Sequence, residues 1–223
     1  MSESVPPSPV TPPPATPPAR PDRASMPNPS GYPVVFLVDP PERIARWRPF
    51  VQWILAFPHF VLQYLLSGAA GIFAVAAWVS GVFTGRVPEL CLQFVALYVR
   101  YTARLWVYAS FLDDRYPPFN VDLEVHDRGE YAGCWLEVED PPEERRRVTI
   151  LFRAVLAIPH MVITWFLSLA LLLVMLVAAL AVLILGRWPA GLRSWVVGVH
   201  RWYLRYTGYV YLLTDEYPPF SLS

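Results

Sequence analysis

The residues best suited to chemistry in this 223-residue sequence are arginines spaced one helical turn apart. Arg100 and Arg104 form one pair, and Arg201 and Arg205 form a second pair. The sequence contains no lysine, so all 18 basic residues are arginine. A guanidinium group binds carboxylate or phosphate through two parallel hydrogen bonds, which an ammonium group cannot do. The pairs therefore predict either a structural role, through snorkelling or pairing within the fold, or binding of an anionic lipid or an acidic partner, and we take anion binding as the hypothesis.

Two histidines and two cysteines complete the candidates. His59 and His160 each follow a proline, and two symmetric imidazoles could ligate a metal or haem. We favour a hydrogen-bonded histidine without a ligand, at the start of a helix in the headgroup region. Cys91 and Cys134 lack paired spacing, which predicts free thiols. Because no catalytic triad order, phosphate loop or His-x-x-x-His motif occurs, we expect no catalytic residue, metal or cofactor.

The composition indicates a membrane protein. Apolar residues make up 55% of the chain and charged residues only 16%, with a mean hydropathy of +0.35. The formal net charge is zero, so nothing indicates a nucleic-acid partner. Residues 1–30 differ from the rest, because they contain 11 of the 25 prolines and few apolar residues. We expect a disordered, proline-rich tail there, and no signal peptide.

The remaining chain is a tandem repeat with a constant offset of 140 − 39 = 101 residues. We divide it into a first membrane module (31–119), a connector (120–133) and a second membrane module (134–223). The recurring motifs are Asp-Pro-Pro-Glu (39–42, 140–143), Pro-His (58–59, 159–160), Gly-Arg-x-Pro (85–88, 186–189), Arg-x-x-x-Arg (100–104, 201–205) and Tyr-Pro-Pro-Phe (116–119, 217–220).

In this order, the motifs resemble the DUF4389 family of bacterial membrane proteins of unknown function. The resemblance covers nearly all of residues 32–222, and its most specific segment is the closing run at 213–220. The first module departs from that run, with Asp113 where the second module has Thr214. The resemblance implies a membrane location and a two-helix module, and it implies no reaction.

Each module begins with a long apolar stretch. Residues 154–185 contain no charged side chain, a length of 32 residues against the roughly 20 that span a bilayer. We expect Pro58 and Pro159 to separate short interfacial helices from spanning helices near residues 60–83 and 161–185. A hairpin inside this stretch is the rival interpretation, and the second module, which lacks the glycines at 68 and 71, argues against it.

The second helix of each module, about 89–112 and 190–213, carries a polar stripe. In the first module Glu89, Gln93, Arg100 and Arg104 lie within an arc of about 60°. If these helices span the membrane, four mid-bilayer arginines cost roughly 10 to 14 kcal/mol. A lipid phosphate, an acidic residue of a partner or a watery cleft would then offset that cost. The alternative is a helix that lies in the interface. We favour spanning.

The predicted fold is therefore an all-α membrane protein with about four transmembrane helices, short interfacial helices and a small cytoplasmic β-sheet. An even number of crossings places both Asp-Pro-Pro-Glu and both Tyr-Pro-Pro-Phe motifs on one side. β-prone runs at 34–38, 119–125 and 134–139 predict the sheet that ties the modules together. The arginine bias predicts a bacterial inner-membrane protein with a cytoplasmic N-terminus. The predicted cytoplasmic segments carry eleven arginines, whereas the turns on the other side carry three. The eleven are residues 20, 23, 43, 46, 48, 115, 128, 145, 146, 147 and 153, and the three are residues 86, 187 and 193.

These features predict a non-catalytic accessory or scaffold protein that binds anionic lipid, a membrane protein or another copy of itself through arginine-lined helices. A small transporter or channel subunit acting as an oligomer is the alternative, and a lipid-modifying enzyme using His59 or His160 ranks third. The predicted anion-binding residues are Arg100, Arg104, Arg201, Arg205, Arg86 and Arg187, with His59 and His160 as secondary candidates.

Overall fold

The computed structural model describes residues 31–223, so the predicted tail lies outside the described residues. The described part is mostly helical, with four helices and two short strands. In chain order the elements are β1 (Val34–Val38), α1 (Arg48–Thr84), α2 (Glu89–Ala109), β2 (Cys134–Val138), α3 (Arg147–Leu185) and α4 (Ala190–Val210).

The first helix of each module is continuous, so the predicted division into interfacial and spanning helices is wrong. Pro58 and Pro159 lie inside α1 and α3. A proline withholds one backbone N–H and crowds the preceding turn. Here a hydroxyl group supports that turn, because Tyr116 donates to the carbonyl of Leu55 at 3.2 Å. Tyr217 donates to Leu156 at 3.1 Å in the second module. No hairpin interrupts either helix, as the aligned modules predicted.

Glycines end these long helices and return the chain. Gly85 and Gly186 adopt left-handed conformations, with φ of 77° and 66°, which cost a glycine little. The chain then folds back as α2 or α4. These helices end three residues earlier than predicted, since Phe111 and Leu212 also adopt positive φ values, of 58° and 64°. Both side chains are buried, so packing stabilises the unfavourable backbone conformation.

Only α1 and α3, among the helices described, are long and apolar enough to cross a membrane. α2 and α4 instead form a buried middle layer. The prediction of four spanning helices therefore reduces to four helices with two candidate spans. α2 and α4 are not candidate spans because they carry charged side chains, which point toward the sheet and the connector that cover them.

The two modules run antiparallel and are related by an approximate two-fold axis. The indole of Trp78, near the end of α1, donates to the carbonyl of Ile150, near the start of α3, at 2.9 Å. The backbone N–H of Ile44 donates to Gly186, and the equivalent N–H of Arg145 donates to Gly85, each at 2.9 Å. Each module's leading segment thus binds the other module's turn. The four-crossing arrangement requires parallel α1 and α3, so this part of the prediction is wrong.

The predicted small sheet is present and lies on the same axis. β1 pairs with β2 in antiparallel register, with Phe36 opposite Leu136. The run at 119–125 is not a strand, because carbonyls of this part of the chain accept hydrogen bonds from Arg100. The molecule therefore has three layers: the sheet with the connector, then α2 and α4, then α1 and α3.

The outer surface of the third layer is apolar and exposed. On α1 the exposed fractions reach 78% for Tyr64, 73% for Ile72 and 75% for Phe83. Polar residues of the same helix, such as Gln52 and His59, are buried against α2. This distribution is the reverse of that in a helix packed on a water-soluble core.

Candidate anion-binding site

Arg100 is enclosed by the connector. Its guanidinium donates to the carbonyl oxygens of Asp122 (3.0 Å), Glu124 (2.5 Å) and His126 (3.0 Å), and the residue is only 5% exposed. Burial lowers the pKa of Arg100. Hydrogen bonds to a charged donor are among the stronger ones in proteins, so this arginine organises the loop that covers it.

Arg104 has a carboxylate partner that the sequence analysis missed. Its Nη2 lies 2.9 Å from Oδ1 of Asp127, and both side chains are nearly inaccessible. Asp127 also accepts hydrogen bonds from the backbone N–H groups of Gly129 and Leu136. The Asp-x-Gly order of residues 127–129, with Gly129 at φ 74°, is a turn signal that could have drawn attention to this residue.

The second pair is held by backbone carbonyls. Arg201 donates to Leu222 at 3.1 Å and to Phe36 at 3.5 Å, and Arg205 donates to Ser223 at 2.8 Å. Burial lowers the pKa of Arg201. Burial and the charge of Arg201 lower the pKa of Arg205 to about 10, so it remains protonated at neutral pH.

All four stripe arginines therefore have partners within the chain. The cavity beside Arg100 and Arg104 measures only about 10 Å³, room for about one water molecule. An external anion would have to displace the connector to reach this pair. Binding of lipid or a partner by these four arginines stays a prediction. In the structure, Asp127 and backbone carbonyl groups of the chain already accept their hydrogen bonds.

The histidines lie within α1 and α3 rather than at helix starts, and each packs on the closing motif of its module. His59 stacks on Phe119 with ring centroids 4.0 Å apart, and His160 stacks on Phe220 at 4.4 Å. Nδ1 of His59 lies 2.5 Å from the hydroxyl of Tyr101. In residues 31–223 no group of three or more metal-ligating side chains is found, and both cysteines are free and buried.

A second buried charge cluster, also missed, joins the start of α3 to the end of α4. Oδ1 of Asp215 lies 2.6 Å from Arg153 and 3.1 Å from Arg145. Burial lowers the pKa of Arg145. The equivalents of these arginines in the first module are Gln52 and Ile44, so no repeated motif marked them.

The last two predicted arginines lie in the turns, in contrasting surroundings. Arg86 forms an exposed ion pair with Glu144 at 3.1 Å. Its equivalent, Arg187, lines an open cavity of about 530 Å³ together with Arg43 and Arg46. We call this site the arginine cavity. Within the described part of the chain, no carboxylate forms an ion pair with any of its three arginines.

Comparison with known proteins identifies the repeat unit. The family model described as "Domain of unknown function (DUF4389)" matches residues 46–120 and again residues 147–221. No curated protein and no solved structure matches the chain. Each matched range contains one long apolar helix, its glycine turn, the buried arginine helix and the Tyr-Pro-Pro-Phe motif. The chain therefore belongs to the DUF4389 family and contains its domain twice.

Proposed function

We propose that this protein is a non-catalytic membrane scaffold or accessory protein that embeds its α1–α3 layer in the bacterial inner membrane and binds anionic lipid or a membrane partner. The observation that carries the proposal is the continuous exposed apolar surface of α1 and α3. Residues 49–84 and 154–185 contain no charged side chain. Exposing such a surface to water is unfavourable, whereas hydrocarbon solvates it well.

The layer order favours helices that lie along the membrane rather than across it. At 1.5 Å per residue, the 37 residues of α1 extend about 55 Å, almost twice the roughly 30 Å of a hydrocarbon core. If α1 stood upright, the antiparallel α2 and the sheet beside it would also lie at membrane depth. Open sheet edges and irregular loops are not tolerated against lipid. A flat placement leaves the sheet and connector in water.

This placement also accounts for both halves of the repeat at once. When the two-fold axis lies along the membrane normal, α1 and α3 enter the same leaflet to the same depth. Both Asp-Pro-Pro-Glu motifs and both Tyr-Pro-Pro-Phe motifs then lie on the cytoplasmic side, without any crossing. Interfacial helices of this kind bind through buried apolar area and through attraction to anionic lipids.

Cysteine labelling distinguishes the placements, because α1 and α3 are antiparallel. Glu89→Cys and Ala190→Cys, made separately in a Cys91→Ala/Cys134→Ala background, introduce exposed thiols at equivalent positions after the two turns. In sealed vesicles of known orientation, we expect both thiols to react with an impermeant maleimide from the cytoplasmic side. Reaction from opposite sides would show that the helices cross the membrane.

A third thiol tests the membrane location itself. Tyr64→Cys, at the middle of α1, is expected to resist the same impermeant reagent in vesicles and to react after detergent removes the lipid. If Tyr64→Cys reacts as fast as Glu89→Cys in intact vesicles, the apolar surface faces water and the proposal fails.

A further inference from the structure

The two turns of the repeat differ in charge balance, and this difference identifies a ligand site. From the arginine cavity we infer that Arg43, Arg46 and Arg187 bind the phosphate of an anionic glycerophospholipid headgroup. The inference rests on the proposed function, because it requires the α1–α3 layer to be in lipid. It adds the position of the site, the chemical class of the ligand and the module that holds it.

The cavity is built by backbone contacts rather than by flexible side chains alone. The N–H of Ile44 donates to Gly186 at 2.9 Å, which holds the segment carrying Arg43 and Arg46 against the turn carrying Arg187. The three arginines are exposed, and their guanidinium groups make no ion pair within residues 31–223. A cluster of three cations around an open cavity of about 530 Å³ matches a phosphate that accepts several charge-assisted hydrogen bonds.

The equivalent turn of the first module shows what a neutralised version looks like. There Arg86 lies next to Arg145, Glu89 and Glu143, which line a cavity that is not the counterpart of the arginine cavity. Arg86 also pairs with Glu144, which occupies the position of Arg43. At the arginine cavity the acid that pairs with Arg86 is absent, since Glu144 corresponds to Arg43. Both turns end in a left-handed glycine that accepts the same backbone hydrogen bond, so the difference lies in the side chains.

The surroundings of the cavity select a lipid rather than a free anion. Leu185, which lines the cavity, is 54% exposed, and Trp47, which follows Arg46, is 51% exposed. Both residues belong to the ends of α3 and α1 that carry the apolar surface. A phosphate held at this rim leaves its acyl chains alongside the apolar helices, and tryptophan is enriched at this depth of a bilayer.

The sister module supplies matched variants for the test. Arg43→Glu places an acid opposite Arg187, as Glu144 stands opposite Arg86, and removes the cationic cluster. Glu144→Arg makes the converse change in the first module. Full-length protein is reconstituted in nanodiscs of phosphatidylcholine with phosphatidylglycerol, and the lipids that remain bound after mild extraction are counted by native mass spectrometry.

We expect wild type to retain phosphatidylglycerol preferentially, Arg43→Glu to lower that retention roughly tenfold, and Glu144→Arg to add a second retained lipid. Equal retention by wild type and Arg43→Glu would overturn the inference. Stabilisation of detergent-solubilised protein by inorganic phosphate, without any preference for phosphatidylglycerol, would assign the cavity to a free anion and also overturn it. Arg43→Glu that still enters nanodiscs separates failure of this site from failure of membrane embedding.

Discussion

The two modules share a backbone and differ in how their buried cations are neutralised. In the first module, Gln52 donates to the carbonyls of Tyr108 (2.6 Å) and Asp113 (2.8 Å). In the second module, Arg153 makes the equivalent bonds to Tyr209 and Thr214 at 2.6 and 2.8 Å. The same carbonyls thus accept from a neutral amide in one module and from a cation in the other. The fold therefore requires these hydrogen bonds, whereas the charge of the donor side chain can differ between the modules.

This divergence is distributed over three places. The first module neutralises Arg104 with Asp127 of the connector. The second module neutralises Arg145 and Arg153 with Asp215. At the turns, the first module has the Arg86–Glu144 ion pair and the second module has the arginine cavity. Substitutions at these places therefore test whether the two modules are energetically alike.

The largest effect is expected for Asp127→Ala in the first module. The change leaves buried Arg104 with only the more distant carboxylate of Glu130, at 3.8 Å, and removes the acceptor of two backbone N–H groups, so we expect a loss of about 3 to 5 kcal/mol in the free energy of unfolding. Chemical denaturation in detergent measures it. Adding Arg104→Leu should recover part of the loss, and a double variant no more stable than the single one would contradict the assigned pairing.

The next effect is expected for Asp215→Asn in the second module. Two buried guanidinium groups lose their shared carboxylate, and we expect a loss of about 3 kcal/mol in unfolding free energy. The matched control is Asp114→Asn, at the equivalent position of the first module. The carboxylate of Asp114 lies 3.7 Å from the guanidinium of Arg48, and the side chain of Asp114 is 41% exposed. That substitution should cost less than about 1 kcal/mol. Equal losses in the two variants would show that Asp215 is not the neutralising group.

A pH-dependent difference is expected at His200, which corresponds to Val99 in the first module. Burial lowers the pKa of His200 to about 4, whereas an unfolded histidine titrates near 6.5. The unfolded state therefore binds more protons between these values, and stability falls as the pH is lowered from 6.5 toward 4. At pH 5 the loss relative to pH 7 is about 2 kcal/mol.

His200→Val, which copies the first module, should remove this part of the pH dependence. Thermal unfolding of both proteins at pH 7 and pH 5 measures the difference. The same loss in wild type and in His200→Val would assign the dependence to other groups.

The smallest effect is expected where the modules are most alike. Tyr116→Phe and Tyr217→Phe each remove one hydroxyl that donates to the proline-containing turn, and each should lower stability by about 1 kcal/mol. Thermal shift assays in the same detergent compare the two variants. Clearly unequal losses would show that the proline turns are not equivalently supported, despite bond lengths of 3.2 and 3.1 Å.

Sequence reasoning was most successful where the signal is local or repeated. Gly85 and Gly186 marked the turns, the β-prone runs at 34–38 and 134–139 gave the two strands, and the constant offset gave the duplication. It was least successful at Asp127 and Asp215, because each acid lies far along the chain from its arginine. The break predicted at Pro58 was wrong because the turn before the proline is supported by the hydroxyl of Tyr116, which lies 61 residues after its acceptor Leu55.

The sequence by itself determined the repeat, the apolar character of the long helices and the clustering of arginine on α2 and α4, since each depends on residue type and short-range periodicity. Only the tertiary structure decided that the modules run antiparallel and that Arg100 and Arg104 are covered by the connector. It alone brought Arg43 and Arg46 to Arg187, more than 140 residues away along the chain. These features depend on which distant segments share hydrogen bonds, and neither composition nor periodicity encodes that pairing.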